Sequence, residues 1–399
     1  MTSDGLIAPQ ATQRLPQLDG LRGVAALIVV FHHSMLLSAS FAATYMRNGD
    51  IPAVGSALWF LTATPLKFLT AGGEAVILFF VLSGIVLTLP VLARRDFDWW
   101  SYYPRRVIRL YLPAIASVLF AGALILLVPE KADQDYGYWV NVFSITDPKI
   151  LSYLGDMDLL FGTALVNSPL WSLRWEVAFS LALPIFVGLA VILRRRPLVW
   201  AALAFVIAGI GIWLDNPAFT FLPPFLIGAI IAVRFESLRA WSARVLSRPL
   251  GPLWAVGALV LAVILFVAYW LVRGVADAAP AVSVISRALS GVGSAVIVIV
   301  VSFWAPAVRF FSTAVVQWLG RISFSIYLIH VPIAFAAIHL LGPSRWWLAT
   351  ASTIVLALAL GTVFTRFVER PSHTLSKRAG AAFSSRVRAA YAAAAHRGQ

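Results

Sequence analysis

Arg22 and His33 stand eleven residues apart at the start of a long apolar run. On a helix, at about 100° and 1.5 Å per residue, that spacing returns to within about 20° of the same face, roughly 16 Å further along. One stripe would then join a guanidinium at a membrane surface to an imidazole in mid-bilayer. An ionisable group in lipid costs about 2.5 to 3.5 kcal/mol on insertion scales, so each one needs a partner or a job. Asp19, three residues before Arg22, is expected to pair with it across a turn, while His32 points about 100° away from His33. Glu176 follows Trp171-Ser172-Leu173 in another apolar run, and Ser323, Tyr327 and His330 share one helical face in a third. Arg174 and Glu176 are two apart, so they do not face each other.

These residue types suit proton transfer at a carbonyl. A neutral imidazole in a dry site takes the proton of an attacking alcohol, and serine or tyrosine hydroxyls stabilise the oxyanion. In this reading His33 is the general base, and Asp19 fixes the Arg22 guanidinium, which would position the carbonyl-bearing co-substrate. Glu176 or Tyr327 orients the imidazole or the acceptor. A two-step route through an acyl group on His33 or a serine is the alternative. The cluster Tyr103-Pro104-Arg105-Arg106-Val107-Ile108-Arg109 sets three guanidiniums near a helix mouth, where they would bind a phosphate-bearing co-substrate bidentately. Blander readings stay open: His33 as a buried imidazole bonded to a carbonyl, and the arginines as an anchor to anionic lipid.

The elements that position these groups are membrane helices. Of 399 residues, 60% are hydrophobic and only 12% charged, with mean hydropathy +0.87. That composition cannot cover a water-soluble globule of this length, so an all-α polytopic membrane protein is expected. Ten apolar runs read as spans, at about 21–43, 74–93, 107–128, 171–193, 197–214, 218–233, 252–272, 287–304, 315–341 and 346–367. The sixth carries Pro223-Pro224 and is expected to be bent or broken. The net charge of +14 does not point to nucleic acid, because the basic residues lie between spans. With a cytoplasmic N-terminus, 23 of the 31 Lys and Arg fall on one side, so both termini are predicted to be cytoplasmic. The absence of cysteine excludes a disulfide scaffold, a thiolate metal site and acyl transfer through a thiol, and no metal site is expected. The longest outer loop, Pro129 to Pro169, is acidic, either as the complement of the basic side or as a lid over an acceptor site. Residues 1–17 read as a polar N-terminal segment, 18–375 as the membrane domain and 376–399 as a basic tail, an amphipathic surface helix or disorder.

The motifs resemble those of the acyltransferase 3 family of membrane proteins. Gln17-Leu18-Asp19-Gly20-Leu21-Arg22-Gly23 running to His33 resembles the family's opening signature, and Phe79-Phe80-Val81-Leu82-Ser83-Gly84-Ile85 its second-helix motif. The Arg105, Arg106 and Arg109 cluster, Trp171-Ser172-Leu173 with Glu176, the stretch Leu319 to His330 and Glu369-Arg370-Pro371 follow in family order. Ile85, Ile77 and Leu110 depart from the residues usual at their positions. The resemblance implies transfer of an acyl group, most often acetyl from acetyl-CoA, to a hydroxyl of a carbohydrate or another envelope or secondary metabolite. It implies that Arg22 and His33 are the essential pair, and that the arginine cluster, with Ser83 and Gly84 of the second-helix motif, binds the CoA donor. A stand-alone form in the bacterial cytoplasmic membrane, touching lipid and acyl-CoA but no nucleic acid, is expected. The rival reading is a proton-coupled transporter that uses the same intramembrane Arg, His and Glu residues, with a lipid-binding scaffold as a third.

Overall fold

The structure is a computed structural model, and it describes residues 15–45, 51–94, 96–133 and 135–397. Among these residues every regular element is helical. The ten apolar runs all fall on helices. Five helices are long and apolar enough to cross a bilayer, or up to seven when each bent pair counts as one span.

The helices that build the site are α1 (Pro16–Met35), α2 (Gly72–Leu92), α3 (Trp99–Leu127), α4 (Leu170–Leu181), α5 (Leu183–Leu193), α6 (Pro217–Val233) and α7 (Ala314–Leu341). Two more close the chain, α8 (Trp346–Phe364) and α9 (Arg370–Arg397). Helix α7 is the axis of the bundle, with 72% of its apolar window buried. It packs along α1, α3 and α8, while α2 lies between α1 and α6.

Small residues allow these close crossings. A Cβ on Gly23 would run into the backbone of Gly320, and one on Gly320 into the backbone of Asp19, so α1 and α7 meet nearly backbone to backbone. Gly84 and Gly228 make the same kind of contact between α2 and α6.

The two prolines expected to bend a helix do not do so. Helix α6 runs unbroken through Pro223-Pro224, and its 72° bend comes after it, at Arg234. The break falls in the fourth apolar run instead, where α4 and α5 meet at 68° around Ala182. Pro184 has no N–H to offer the carbonyl of Ser180, four residues back, and its ring crowds that carbonyl. The Tyr102 hydroxyl of α3 donates to the freed Ser180 oxygen at 3.1 Å. This bend keeps Glu176 and Ser180 facing α3.

The basic tail is a helix. Helix α9 runs through residue 375 without a break, and lies along the start of α3. Ser384 donates to Asp98 at 2.7 Å, and Arg388 pairs with the same carboxylate at 3.2 Å. Asp98 also caps α3 by accepting from the Ser101 amide at 3.0 Å.

Candidate functional site

Six helical segments enclose a polar chamber of about 290 Å³ at the basic end of the bundle. Asp19 and Arg22 reach it from α1, Ser83 from α2, Arg106 and Arg109 from α3, Glu176 from α4, and Arg321 and Ser323 from α7. The last wall is the π-helical turn Thr365–Glu369 with Arg370 and His373 beyond it. That turn is pinned to α7: Thr365 donates to the Ser325 hydroxyl at 2.7 Å, which donates to Glu369 at 2.7 Å.

The charges in the chamber are unevenly matched. Arg106 is buried and fully engaged, with its Nη2 2.5 Å from Glu176 Oε1 and its Nε donating to Ser180 Oγ at 2.9 Å. Arg22 is half-buried and Arg109 is exposed to the open chamber. Neither has an ion-pair partner within 4.0 Å among the described residues, although both lie within electrostatic range of Glu369. Two guanidiniums without an ion-pair partner on one open cavity have the chemistry to bind an anion.

The chamber narrows into a slot of about 40 Å³ that shares Arg22, Ser83, Glu176 and Ser323 with it. Beyond them the slot is lined mainly by apolar side chains, Val76, Phe79, Phe80 and Leu173, and by the hydroxyls of Ser172 and Tyr327. Those two hydroxyls are 2.6 Å apart, and Tyr327 also donates to the carbonyl of Pro169 at 3.3 Å.

His33 is not among the residues lining the chamber or the slot. It lies a layer beyond the Tyr327 end. The Tyr327 ring stands 5.9 Å from the His330 ring, and His330 Nε2 is 3.0 Å from His33 Nδ1. Trp139, from the short helix Tyr138–Phe143 in the acidic outer loop, is buried with its ring 5.6 Å from His33 and 4.8 Å from Phe335. The acidic loop thus covers the imidazole. Its fold depends on Asp156, which is buried and accepts from the amides of Leu165, Val166 and Asn167 at 2.8 to 2.9 Å. His32 turns away as its register requires, to the Thr70 carbonyl at 2.8 Å and the Tyr45 hydroxyl at 3.2 Å.

Four sequence-based expectations are corrected. No ion pair joins Asp19 and Arg22; Arg22 turns into the chamber, where Glu369 supplies the nearby negative charge. Glu176 does not orient an imidazole, because Arg106 holds it. Arg105 lies outside the chamber, where its side chain packs on Gly380 of α9. Gly84 does not line the chamber; its missing side chain admits the backbone of α6. Tyr327 lies between the slot and His330, and Arg174 and Glu176 do not pair, as their spacing implies: Arg174 donates to the Gly162 carbonyl and Glu176 meets Arg106. His330 and Glu369 stood in the sequence motifs without a role, and the structure brings each to the site. Among the described residues no group of three or more His, Cys, Asp or Glu is arranged to hold a metal ion.

The sequence pattern of the acyltransferase 3 family, described as an acyltransferase domain, matches residues 15–366 and so takes in every residue of the slot and most of the chamber. The chain belongs to the acyltransferase 3 family. As a member it is a multi-pass integral membrane O-acyltransferase, which decides between enzyme and transporter. It is similar to Acyltransferase MdmB of Streptomyces mycarofaciens, with 29% identity over 383 residues, 88% of each chain. It is also similar to Acyltransferase clz18 of Cochliobolus lunatus, with 32% identity over 142 residues, 29% of this chain and 30% of the relative. No solved structure matches it.

Proposed function

We propose that the protein moves an acetyl group from acetyl-CoA to a hydroxyl of a carbohydrate or another envelope or secondary metabolite, in a bacterial cytoplasmic membrane with both termini in the cytoplasm. The observation that carries this reading is the pairing of the anion chamber with the narrow slot. The chamber is too small for a whole CoA. It suits the diphosphate and pantetheine arm, bound by Arg22 and Arg109, with the nucleotide left at the cytoplasmic mouth. The thioester then enters the slot toward Tyr327, whose ring stands between the slot and His330 and must swing aside for an acceptor at His33 to reach the thioester carbon.

His33 takes the proton of the acceptor hydroxyl as that oxygen bonds to the thioester carbon. The C–S bond breaks, and the same proton returns to the departing CoA sulfur. The Tyr327 and Ser172 hydroxyls, which bond each other and the Pro169 carbonyl, lie at the end of the slot, and one of them must turn from its present acceptor to donate to the oxyanion. The acceptor reaches His33 beneath the outer loop, whose Trp139 covers the imidazole.

Binding of acetyl-CoA to the purified protein tests the donor half of the reading. Thermal stabilisation by acetyl-CoA that vanishes in Arg22→Ala/Arg109→Ala supports it, and stabilisation unchanged in that variant refutes it. Labelled acetyl-CoA without acceptor separates the routes, since a label trapped on protein excludes direct transfer.

A further inference from the structure

His330 sits one turn past Tyr327 on α7, and its two ring nitrogens have different partners. Its Nδ1 lies 2.8 Å from the carbonyl oxygen of Tyr327 and 3.0 Å from that of Ile326. Carbonyl oxygens only accept, so Nδ1 carries the hydrogen. A neutral imidazole has one N–H, and the Nε2 of His330 is therefore bare. That bare nitrogen faces His33 Nδ1 at 3.0 Å.

The other neighbour of His33 Nδ1 is the carbonyl of Val29, four residues back, at 3.1 Å. With an acceptor on both sides, His33 Nδ1 must be the donor. Its second nitrogen, Nε2, then holds the lone pair. We infer that His330 is a positioning residue that fixes His33 in the Nδ1–H tautomer, so that Nε2 is the atom that takes the acceptor's proton.

This inference rests on the reading of His33 as the base, and it adds what makes it one. An unrestrained imidazole in water favours the Nε2–H form, which would present a donor where the reaction needs an acceptor. The hydrogen bond to His330 serves both states of the cycle. When Nε2 takes a proton, Nδ1–H still donates to His330, so the charged form keeps its partner and nothing rearranges. The partner is neutral where many catalytic histidines have a carboxylate, so it fixes the tautomer without placing a net charge in the membrane interior.

Full-length protein labelled with 15N-histidine, in lipid nanodiscs, tests this by nitrogen NMR, because protonated and bare ring nitrogens resonate apart. Comparison with His33→Gln assigns the His33 signals. The expected result is a protonated Nδ1 and a bare Nε2 on His33. His330→Gln, whose side-chain oxygen can accept in place of Nε2, is expected to keep that tautomer, and His330→Leu to lose it. CoA release from acetyl-CoA is read in parallel: His330→Leu should lower kcat by about 100-fold or more with KM for acetyl-CoA unchanged, and His330→Gln should recover most of the loss. A protonated Nε2 on His33 in the wild-type protein overturns the inference, whether or not the variants fold. So does a His330→Leu protein that keeps the Nδ1–H form. If the tautomer is as stated but no form of the protein turns over acetyl-CoA, the positioning role stands and the proposed activity falls.

Discussion

Arg106 of α3 and Glu176 of α4 form an ion pair of 2.5 Å inside the chamber, and Ser180 ties the same guanidinium to α4 a turn later at 2.9 Å. The pair joins two helices across the bend that Pro184 imposes, and it removes Arg106 from the charges free to meet a ligand. Breaking a buried pair from one side leaves the other charge unmatched, at a cost of about 3 to 5 kcal/mol. Arg106→Ala is therefore expected to lower the thermal midpoint more than Glu176→Gln, with Arg106→Met/Glu176→Gln recovering part of the loss. A double-mutant cycle on the purified protein checks this.

The arginines of α1 and α3 should separate by position. Arg109→Ala and Arg22→Ala each remove a charge-assisted contact to the donor's phosphates, worth about 1.5 to 3 kcal/mol, so acetyl-CoA affinity should fall by about 10- to 100-fold. Arg105→Ala, on the surface shared with α9, should leave affinity within about twofold. Isothermal titration at two salt concentrations measures both effects, and the salt dependence should shrink only for Arg22 and Arg109.

The slot should set acyl length. With about 40 Å³ between Phe79, Phe80 and Leu173, it suits a short chain. Phe79→Ala is expected to raise kcat/KM for hexanoyl-CoA relative to acetyl-CoA by about 10-fold or more, the scale at which a pocket discriminates by methylenes. Competition between the two donors in one reaction reads the ratio.

Outside the spans, Glu130 at the start of the outer loop accepts from the Ile145 amide at 2.6 Å, yet burial pushes its carboxyl up from 4.5 to about 7. Because the folded state holds this proton more tightly than the unfolded state, stability should be greatest at low pH and fall as pH rises from about 4.5 to about 7. Glu130→Gln should flatten that part of the profile. Thermal midpoints across pH 4 to 8 for both proteins check it.

The helices and the chamber's chemistry were legible in the sequence because lipid demands long apolar runs, and charged groups stand out against them. Arg22, Ser83, Arg106, Arg109 and Glu176 do converge on one chamber. The partners were harder to read, because they depend on how helices rotate and bend. Pro223-Pro224 drew attention as a break, but the bend that matters follows from Pro184, and the Ser180 carbonyl it frees is met by Tyr102, 78 residues away in sequence. Gly84 lies in a motif next to Ser83, but the crossing with Gly228 turns it from the site. His33 and His330 are 297 residues apart, and only the packing of α1 on α7 brings them within hydrogen-bonding distance.

The most direct measurement compares cells making the wild-type protein with cells making His33→Gln at equal levels in the membrane, using mass spectrometry of envelope glycans and small metabolites. The expected result is an acetyl ester present with the wild-type protein and reduced by about 100-fold or more with His33→Gln, as removal of a general base requires. An undiminished ester in the His33→Gln cells would contradict the assignment of His33 as the base.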